Sequence, residues 1–247
     1  IINFKRYNMN NKKIVLVTGA NRGLGLEAAK TFAEMGYYTI LSGRNADSLD
    51  SVISKLKDQF QNIDSVILDM SDKQSIRHAA DGVLSKYGKI DILVNNAGIL
   101  IDDADSGADN SILTINSNII HKTMMTNVYG PLLLSQLLIP KMKENDFGRI
   151  VNVSSAMGQL SDMNGLYPAY RISKVSLNAL TIILHNELKG TKILVNSVSP
   201  GWVRTDMGGK NAPRSLEEGV QGMIRLATLV DGGPSGLFFR DGDQLDW

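Results

Sequence analysis

Lys13-Ile14-Val15-Leu16-Val17-Thr18-Gly19-Ala20-Asn21-Arg22-Gly23-Leu24-Gly25 is the stretch on which the reading of this chain turns. It opens as an unbroken apolar run, residues 14–17, the pattern of a strand buried on both faces. It then turns through Gly19, Gly23 and Gly25, and a helical pattern starts at Leu24. A strand, a glycine turn and a helix start together make an anion site. The first N–H groups of a helix lack internal partners and point at whatever lies ahead of them. Glycines let a pyrophosphate approach the backbone with no Cβ in the way. The spacing is Gly-x-x-x-Gly-x-Gly rather than the Gly-x-Gly-x-x-Gly of the best-known dinucleotide fingerprint.

Outward from this turn, strand and helix patterns alternate. Helical spacing over residues 24–35 stops at Gly36. Residues 37–41 read as a second strand. Asn45 and Asp47 can cap a helix over 46–60. Residues 63–68 are a third strand, after which Ser71 can cap a helix running to Tyr87. Residues 90–94 are a fourth strand, followed by Asn95-Asn96-Ala97-Gly98. This alternation predicts a parallel sheet with right-handed crossovers.

The periodicity fails over 99–118, where Asp102, Asp103, Asp105 and Asp109 sit among Ser, Gly and Asn. The stretch reads as a solvated loop, and no metal site is assigned to it. A long helix is expected over 119–145, with Pro140 kinking or ending it locally. Residues 149–153 and 193–198 are further strands, 168–188 and 216–229 further helices, and 236–239 a short last strand. The expected fold is thus a Rossmann-like, doubly wound α/β domain. It has a mostly parallel seven-stranded sheet and helices on both faces, over residues 12–247. Residues 1–11 read as a polar leader without the apolar core of a secretory signal.

Bulk properties narrow the function. The chain has 247 residues, 43% of them apolar, which suits one α/β domain with a large core. A net charge of +1 offers no basic footprint for nucleic acid. No stretch approaches a membrane span. Cysteine is absent, which fits a reducing compartment and points to the cytoplasm.

The end of the second strand bears on the cofactor. In a dinucleotide fold an acidic residue there, about twenty positions past the last glycine, holds a free ribose 2′-hydroxyl. Here Arg44 stands at that place and no carboxylate does. A guanidinium offers a planar fork of donors to a 2′-phosphate. Arg22, inside the turn, can close on the same group. NADP is therefore expected over NAD.

Tyr170-Arg171-Ile172-Ser173-Lys174 puts Tyr170 and Lys174 four apart, on one face of a helix. A free phenol, with pKa near ~10, is a poor base at neutral pH. A neighbouring ammonium is expected to lower that value. Tyr167 competes, but Arg171 stands four residues beyond it. Ser154 and Ser155 close the fifth strand, where ligands of open parallel sheets bind.

Thr18-Gly19-Ala20-Asn21-Arg22-Gly23-Leu24-Gly25, Asn127-Val128-Tyr129-Gly130, Ser155 and the Tyr170/Lys174 pair occur in the order found in the short-chain dehydrogenase/reductase family, which this chain resembles. The whole chain, including Pro200-Gly201-Trp202-Val203-Arg204-Thr205-Asp206-Met207 and the ending Phe238-Phe239-Arg240-Asp241, resembles its carbonyl-reductase branch. The resemblance implies Asn127, Ser155, Tyr170 and Lys174 as catalytic residues. It implies NADP held by Gly19, Asn21, Arg22, Gly23, Leu24, Gly25, Arg44, Asp69, Met70, Asn95, Ala97, Gly98, Tyr170, Lys174, Pro200, Gly201, Val203 and Thr205. Asn95 fits a strand-end cap equally well, and Ser154 fits a role of satisfying backbone groups alone. The implied activity is NADPH-dependent reduction of a ketone or aldehyde. The alternatives are a 3-oxoacyl-carrier reductase, an NAD-linked alcohol dehydrogenase or a non-catalytic NADP sensor. Family members often pair through the long helix and the helix bearing Tyr170, so a homodimer is expected. Met157, Leu160, Met163, Leu166, Tyr167, Trp202 and Met207 flank the site in sequence and suggest a small-molecule substrate with apolar substituents.

Overall fold

The computed structural model describes residues 12–102 and 111–247. Eight strands form one sheet in the order β3-β2-β1-β4-β5-β6-β7-β8. They are β1 Ile14–Val17, β2 Tyr38–Gly43, β3 Ile63–Ile67, β4 Ile92–Asn95, β5 Gly148–Val153, β6 Ile193–Val198, β7 Phe238–Arg240 and β8 Asp243–Leu245. The first seven pair in parallel, and β8 returns antiparallel to β7. The sheet thus has one strand more than the seven expected. The extra strand follows from Asp241-Gly242, both at positive φ, which close a two-residue hairpin.

Alternation along the strands sorts the core into two layers. Val15 and Val17 face one side with Leu41, Ile92, Val94 and Val151. There they meet α1 Gly23–Glu34, α2 Ala46–Lys57 and α7 Leu216–Ala227, through Phe32, Leu49, Ile53, Met223 and Ile224. Ile14 and Leu16 face the other side with Ile40, Leu93, Ile150 and Val195. There they meet α3 Lys73–Tyr87, α5 Gly130–Glu144 and α6 Pro168–Glu187, through Ile76, Val83, Leu134, Leu138, Leu177 and Leu184. The order reverses between β2-β1 and β1-β4, which opens the crevice where dinucleotides bind.

Local expectations met the structure unevenly. Asn45 caps α2, accepting from Ser48 N at 2.8 Å. At α3 the cap is Asp72, which accepts from Gln74 N, and not Ser71; Ser71 instead donates to Asp69. The long helix is not one helix. It runs as α4 Ser117–Met124, a π-helical turn Met125–Tyr129, and α5. Pro140 lies inside α5 without ending it, and the helix continues to Glu144.

The acidic stretch is corrected at its first residue. Asp102 is buried, 1% exposed, and not solvated. Its carboxylate accepts from the N–H groups of Ala169 and Tyr170 at the start of α6. Asp103, Asp105 and Asp109 lie outside the described residues, as does the leader over 1–11. Among the described residues no helix is long and apolar enough to cross a membrane, and no group of His, Asp and Glu could hold a metal.

Candidate active site

At the carboxyl end of β1 the glycine turn is locked from behind. Thr18 Oγ1 accepts from Asn96 N at 3.0 Å and Ala97 N at 2.9 Å. Asn96 Nδ2 returns to Thr18 O at 2.8 Å and Gly19 O at 3.2 Å. Neither Thr18 nor Asn96 was singled out from the sequence. Their signal was position: each adjoins a residue that was.

The glycines are sterically required. Gly19 has φ +63°, and a Cβ there would stand 2.9 Å from Ala97 Cα. A Cβ on Gly25 would meet Gly19 O and Asn96 Nδ2, each at 2.4 Å. Arg22, at the N-cap of α1, has extended backbone and no capping side-chain bond. The first-turn N–H groups of α1, Leu24 and Gly25 included, thus face the crevice without a side-chain acceptor at the cap, as an anion site requires. Thr205 sits across from Gly23, with its Cγ2 3.7 Å from where a Cβ would be.

The second arm of this site is the end of β2. Ala20 N donates to Ser42 O at 2.7 Å, and Asn21 packs over Gly43. Asn21 Nδ2 also reaches Ser48 Oγ at 3.3 Å. Arg22 and Arg44 therefore leave from adjoining backbone. Arg44 is exposed. Arg22 meets Asp206 at 2.7 Å in an ion pair whose side chains are 72% and 75% exposed.

Other expected residues take varied places. Asp69 Oδ1 accepts from Ser71 N and Ser71 Oγ. Met70 is buried in the core on the α5 side, against Gly130. Asn95 joins a buried polar ladder and does not face the crevice: its Nδ2 donates to Asn152 Oδ1, Asn152 Nδ2 to Thr181 Oγ1, and Thr181 meets Ser197. Ala97 backs the glycine turn. Gly98 faces Asn127 and Lys174, and a Cβ there would stand 3.6 Å from Lys174 Nζ. After Pro200, Gly201 adopts φ +76°. Val203 is buried and bridges in parallel to Arg214.

The reacting end is built on α6. Tyr170 is 8% exposed and Lys174 4%. Burial pushes the Tyr170 phenol up to about 12; a hydrogen bond with the Ser155 hydroxyl opposes the rise and the Asp102 charge adds to it. Burial also brings Lys174 down to about 8. The expected lowering of the phenol by the ammonium is therefore reversed here. Lys174 Nζ stands 5.3 Å from the Tyr170 ring centroid and donates to Val153 O instead. Ser155 caps the short 3₁₀ turn Ala156–Gly158, its Oγ accepting from Met157 N at 3.1 Å. Ser154 only reaches the backbone, at Lys174 O. Tyr167 sits at φ +56° ahead of the helix, outside the face that Tyr170 and Lys174 share.

Asn127 lies in the π turn and is 1% exposed. Its Oδ1 accepts from Ile99 N at 2.8 Å, and its Nδ2 donates to Ile99 O and Ser173 Oγ at 2.9 and 3.0 Å. It thus clamps the segment after β4 onto α6. Ser155, Tyr170, Lys174 and Asn127 come together at the carboxyl ends of β4 and β5.

A family model described as short chain dehydrogenase matches residues 13–215. (+)-Neomenthol dehydrogenase of Arabidopsis thaliana is 34% identical over 284 aligned positions, spanning 92% of this chain and 95% of its own. Carbonyl reductase [NADPH] 1 of Mus musculus is 31% identical, spanning 96% of this chain and 99% of its own. The crystal structure of an NADPH-bound carbonyl reductase from chicken fatty liver superposes with a TM-score of 0.84 at 30% identity, over 96% of this chain and 100% of that one. Both curated alignments are longer than the 247 residues here, so those relatives carry stretches with no counterpart in this chain.

Proposed function

Because the chain belongs to the short-chain dehydrogenase/reductase family, we propose that it is an NADPH-dependent carbonyl reductase in which Tyr170 hands a proton to the substrate oxygen. The observation that carries this is the convergence of Tyr170, Ser155 and Lys174 beside a glycine turn in which Gly19 and Gly25 leave no room for a Cβ.

The residues present fit the cofactor. The uncapped start of α1, with Gly19, Asn21, Gly23, Leu24, Gly25 and Thr205, suits its pyrophosphate. Arg22 and Arg44 suit a 2′-phosphate. Asp69 suits the adenine, and Ala97 and Gly98 the adenosine side, whereas Asn95 and Met70 are spent on the buried ladder and the core behind them. Pro200, Gly201 and Val203 suit the nicotinamide, and Tyr170 and Lys174 its ribose. When bound, NADPH supplies the hydride.

The chain supplies the rest. A phenol held high by burial is fully protonated at neutral pH and can act as a general acid. Ser155 donates to the same substrate oxygen, orienting and polarising it. Lys174, anchored on Val153 O, keeps a positive charge beside the phenol at neutral pH. Asn127 fixes the wall on which Lys174 and Gly98 meet. Leu160, Met163, Leu166, Trp202 and Met207 are exposed on the segments after Ser155 and after β6. Such side chains suit ketones and aldehydes with apolar substituents.

We also infer a cytoplasmic enzyme, supported by the absence of cysteine, and a homodimer. The dimer is supported by an apolar groove of about 330 Å³ between α3 and α5, lined by Met70, Ile76, Met125, Tyr129, Leu132 and Leu133. Light scattering tests it: a species of only 27.0 kDa at micromolar concentration overturns it.

NADPH oxidation with a panel of apolar ketones and aldehydes tests the activity. Tyr170→Phe should lose roughly 10²-fold or more in kcat while still binding NADPH. A variant that keeps more than about a tenth of wild-type turnover removes Tyr170 from the role.

A further inference from the structure

The start of α6 is held by a side chain from far away in sequence. Asp102 follows β4, and its Oδ1 accepts from Ala169 N at 2.7 Å. Both carboxylate oxygens lie near Tyr170 N, at 3.3 and 3.4 Å. The residue preceding α6, Tyr167, offers no capping side chain. The helix that carries the proton donor is thus capped in trans, by a residue 1% exposed. A charged acceptor at a helix N-terminus satisfies orphan N–H groups and meets the positive end of the helix dipole.

We propose that Asp102 is a positioning residue for proton transfer: its buried carboxylate fixes the first turn of α6, and so the phenol of Tyr170. The inference rests on the reading of Tyr170 as proton donor.

Two observations support it. The capped N–H groups belong to Tyr170 and its immediate neighbour, so loss of the cap frees the backbone that aims the phenol. The charge also acts on the phenol directly, since Asp102 is among the causes that raise Tyr170. Among the described residues, three groups face the phenol. Lys174 comes from α6 itself, Ser155 from the end of β5, and Asp102 from the segment after β4. The Ser155 hydrogen bond favours loss of the phenol proton, and burial, the larger effect, and the Asp102 charge both oppose it.

The test uses the full-length enzyme with NADPH and a substrate from the panel. Asp102→Asn keeps size and one acceptor but removes the charge. The weaker acceptor should loosen the first turn of α6, and kcat at neutral pH should fall at least threefold. The KM for NADPH should change less than twofold, because the glycine cradle is untouched. A purely structural cap would lower melting temperature or yield and leave kcat per folded molecule in place. If Asp102→Asn does not accumulate as folded protein, Asp102→Ser carries the same test, because serine is a shorter and uncharged acceptor. An unchanged kcat per folded molecule, with Tyr170→Phe inactive, overturns the inference alone. Activity in Tyr170→Phe overturns the reading of Tyr170 and takes the inference with it.

Discussion

Lys174 Nζ donates to the main-chain carbonyl of Val153 at 2.8 Å, tying the middle of α6 to the last residue of β5. This bond is made to a neutral acceptor, and the ammonium is 4% exposed. Its charge is therefore kept at an energetic cost, which is why burial brings its pKa from 10.5 to about 8.

The cost predicts an unusual stability phenotype. A lysine whose folded pKa lies below its unfolded value binds fewer protons when folded. Stability should then rise with pH between about 8 and 10.5, and the penalty should be complete below about 8. By this linkage it is on the order of 3 kcal/mol at neutral pH. Lys174→Met removes the penalty but leaves Val153 O without its donor, at a cost of about 1–3 kcal/mol. The variant should thus melt no lower than wild type at pH 7 and still lose roughly 10²-fold in kcat. Calorimetry and turnover on one sample check both halves. A melting temperature several degrees lower would mean that the charge is better compensated than the one bond shows.

Arg149, at the other end of β5, behaves in the opposite way. Its side chain is 0% exposed, yet each of its three guanidinium nitrogens donates a hydrogen bond. Nε donates to Leu229 O, Nη1 to Gly148 O and Lys192 O, and Nη2 to Asp231. Its charge holds the Asp231 carboxyl below its usual range. Removing it orphans three carbonyls where β5, β6 and the end of α7 meet. Arg149→Ala should cost roughly 3–5 kcal/mol of stability, since three buried carbonyls lose their donor at about 1–3 kcal/mol each while the exposed Asp231 returns to water. Arg149→Lys should rescue little, since an ammonium lacks the planar fork. kcat per folded molecule should be unchanged, because Arg149 stands at the amino end of its strand and Ser155 beyond the carboxyl end. Urea titration with parallel assays decides it; a stability loss under about 1 kcal/mol for Arg149→Ala would count against the network.

Most of this architecture was legible in the chain because buried parallel strands and amphipathic helices write their burial into residue order. Ile14 to Val17 needed only their apolarity, and Gly36 only its position. What escaped had causes outside local pattern. Asp102 looked solvated because its partners, Ala169 and Tyr170, lie 67 and 68 residues away. The π turn at Asn127 depends on the bonds of that side chain to Ile99 and Ser173, which no periodicity reports. The eighth strand is written locally, as Asp241-Gly242 between two extended triplets, but three residues are too few for a period-2 pattern to stand out. The Tyr170/Lys174 pair was legible as a pair. Its electrostatics was not, because spacing says nothing about how deeply the two groups are buried.

The cofactor preference makes the sharpest test of the crevice. Arg44 stands where a carboxylate would hold a free ribose hydroxyl, and Arg22 leaves the turn from adjoining backbone. The exposed pair that Arg22 forms with Asp206 contributes little and can be exchanged for a phosphate. Each charge-assisted bond to a 2′-phosphate should be worth about 1.5–3 kcal/mol. NADPH should therefore exceed NADH in kcat/KM by roughly tenfold or more per arginine, since 1.4 kcal/mol is tenfold. Arg44→Asp should invert the order, because a carboxylate repels the phosphate and accepts from the hydroxyl. Arg22→Ala should weaken NADPH and leave NADH nearly unchanged. The measurement is kcat/KM for both cofactors in wild type and both variants. Equal use of the two by wild type, or an Arg44→Asp enzyme that still prefers NADPH, would show that the phosphate is held elsewhere.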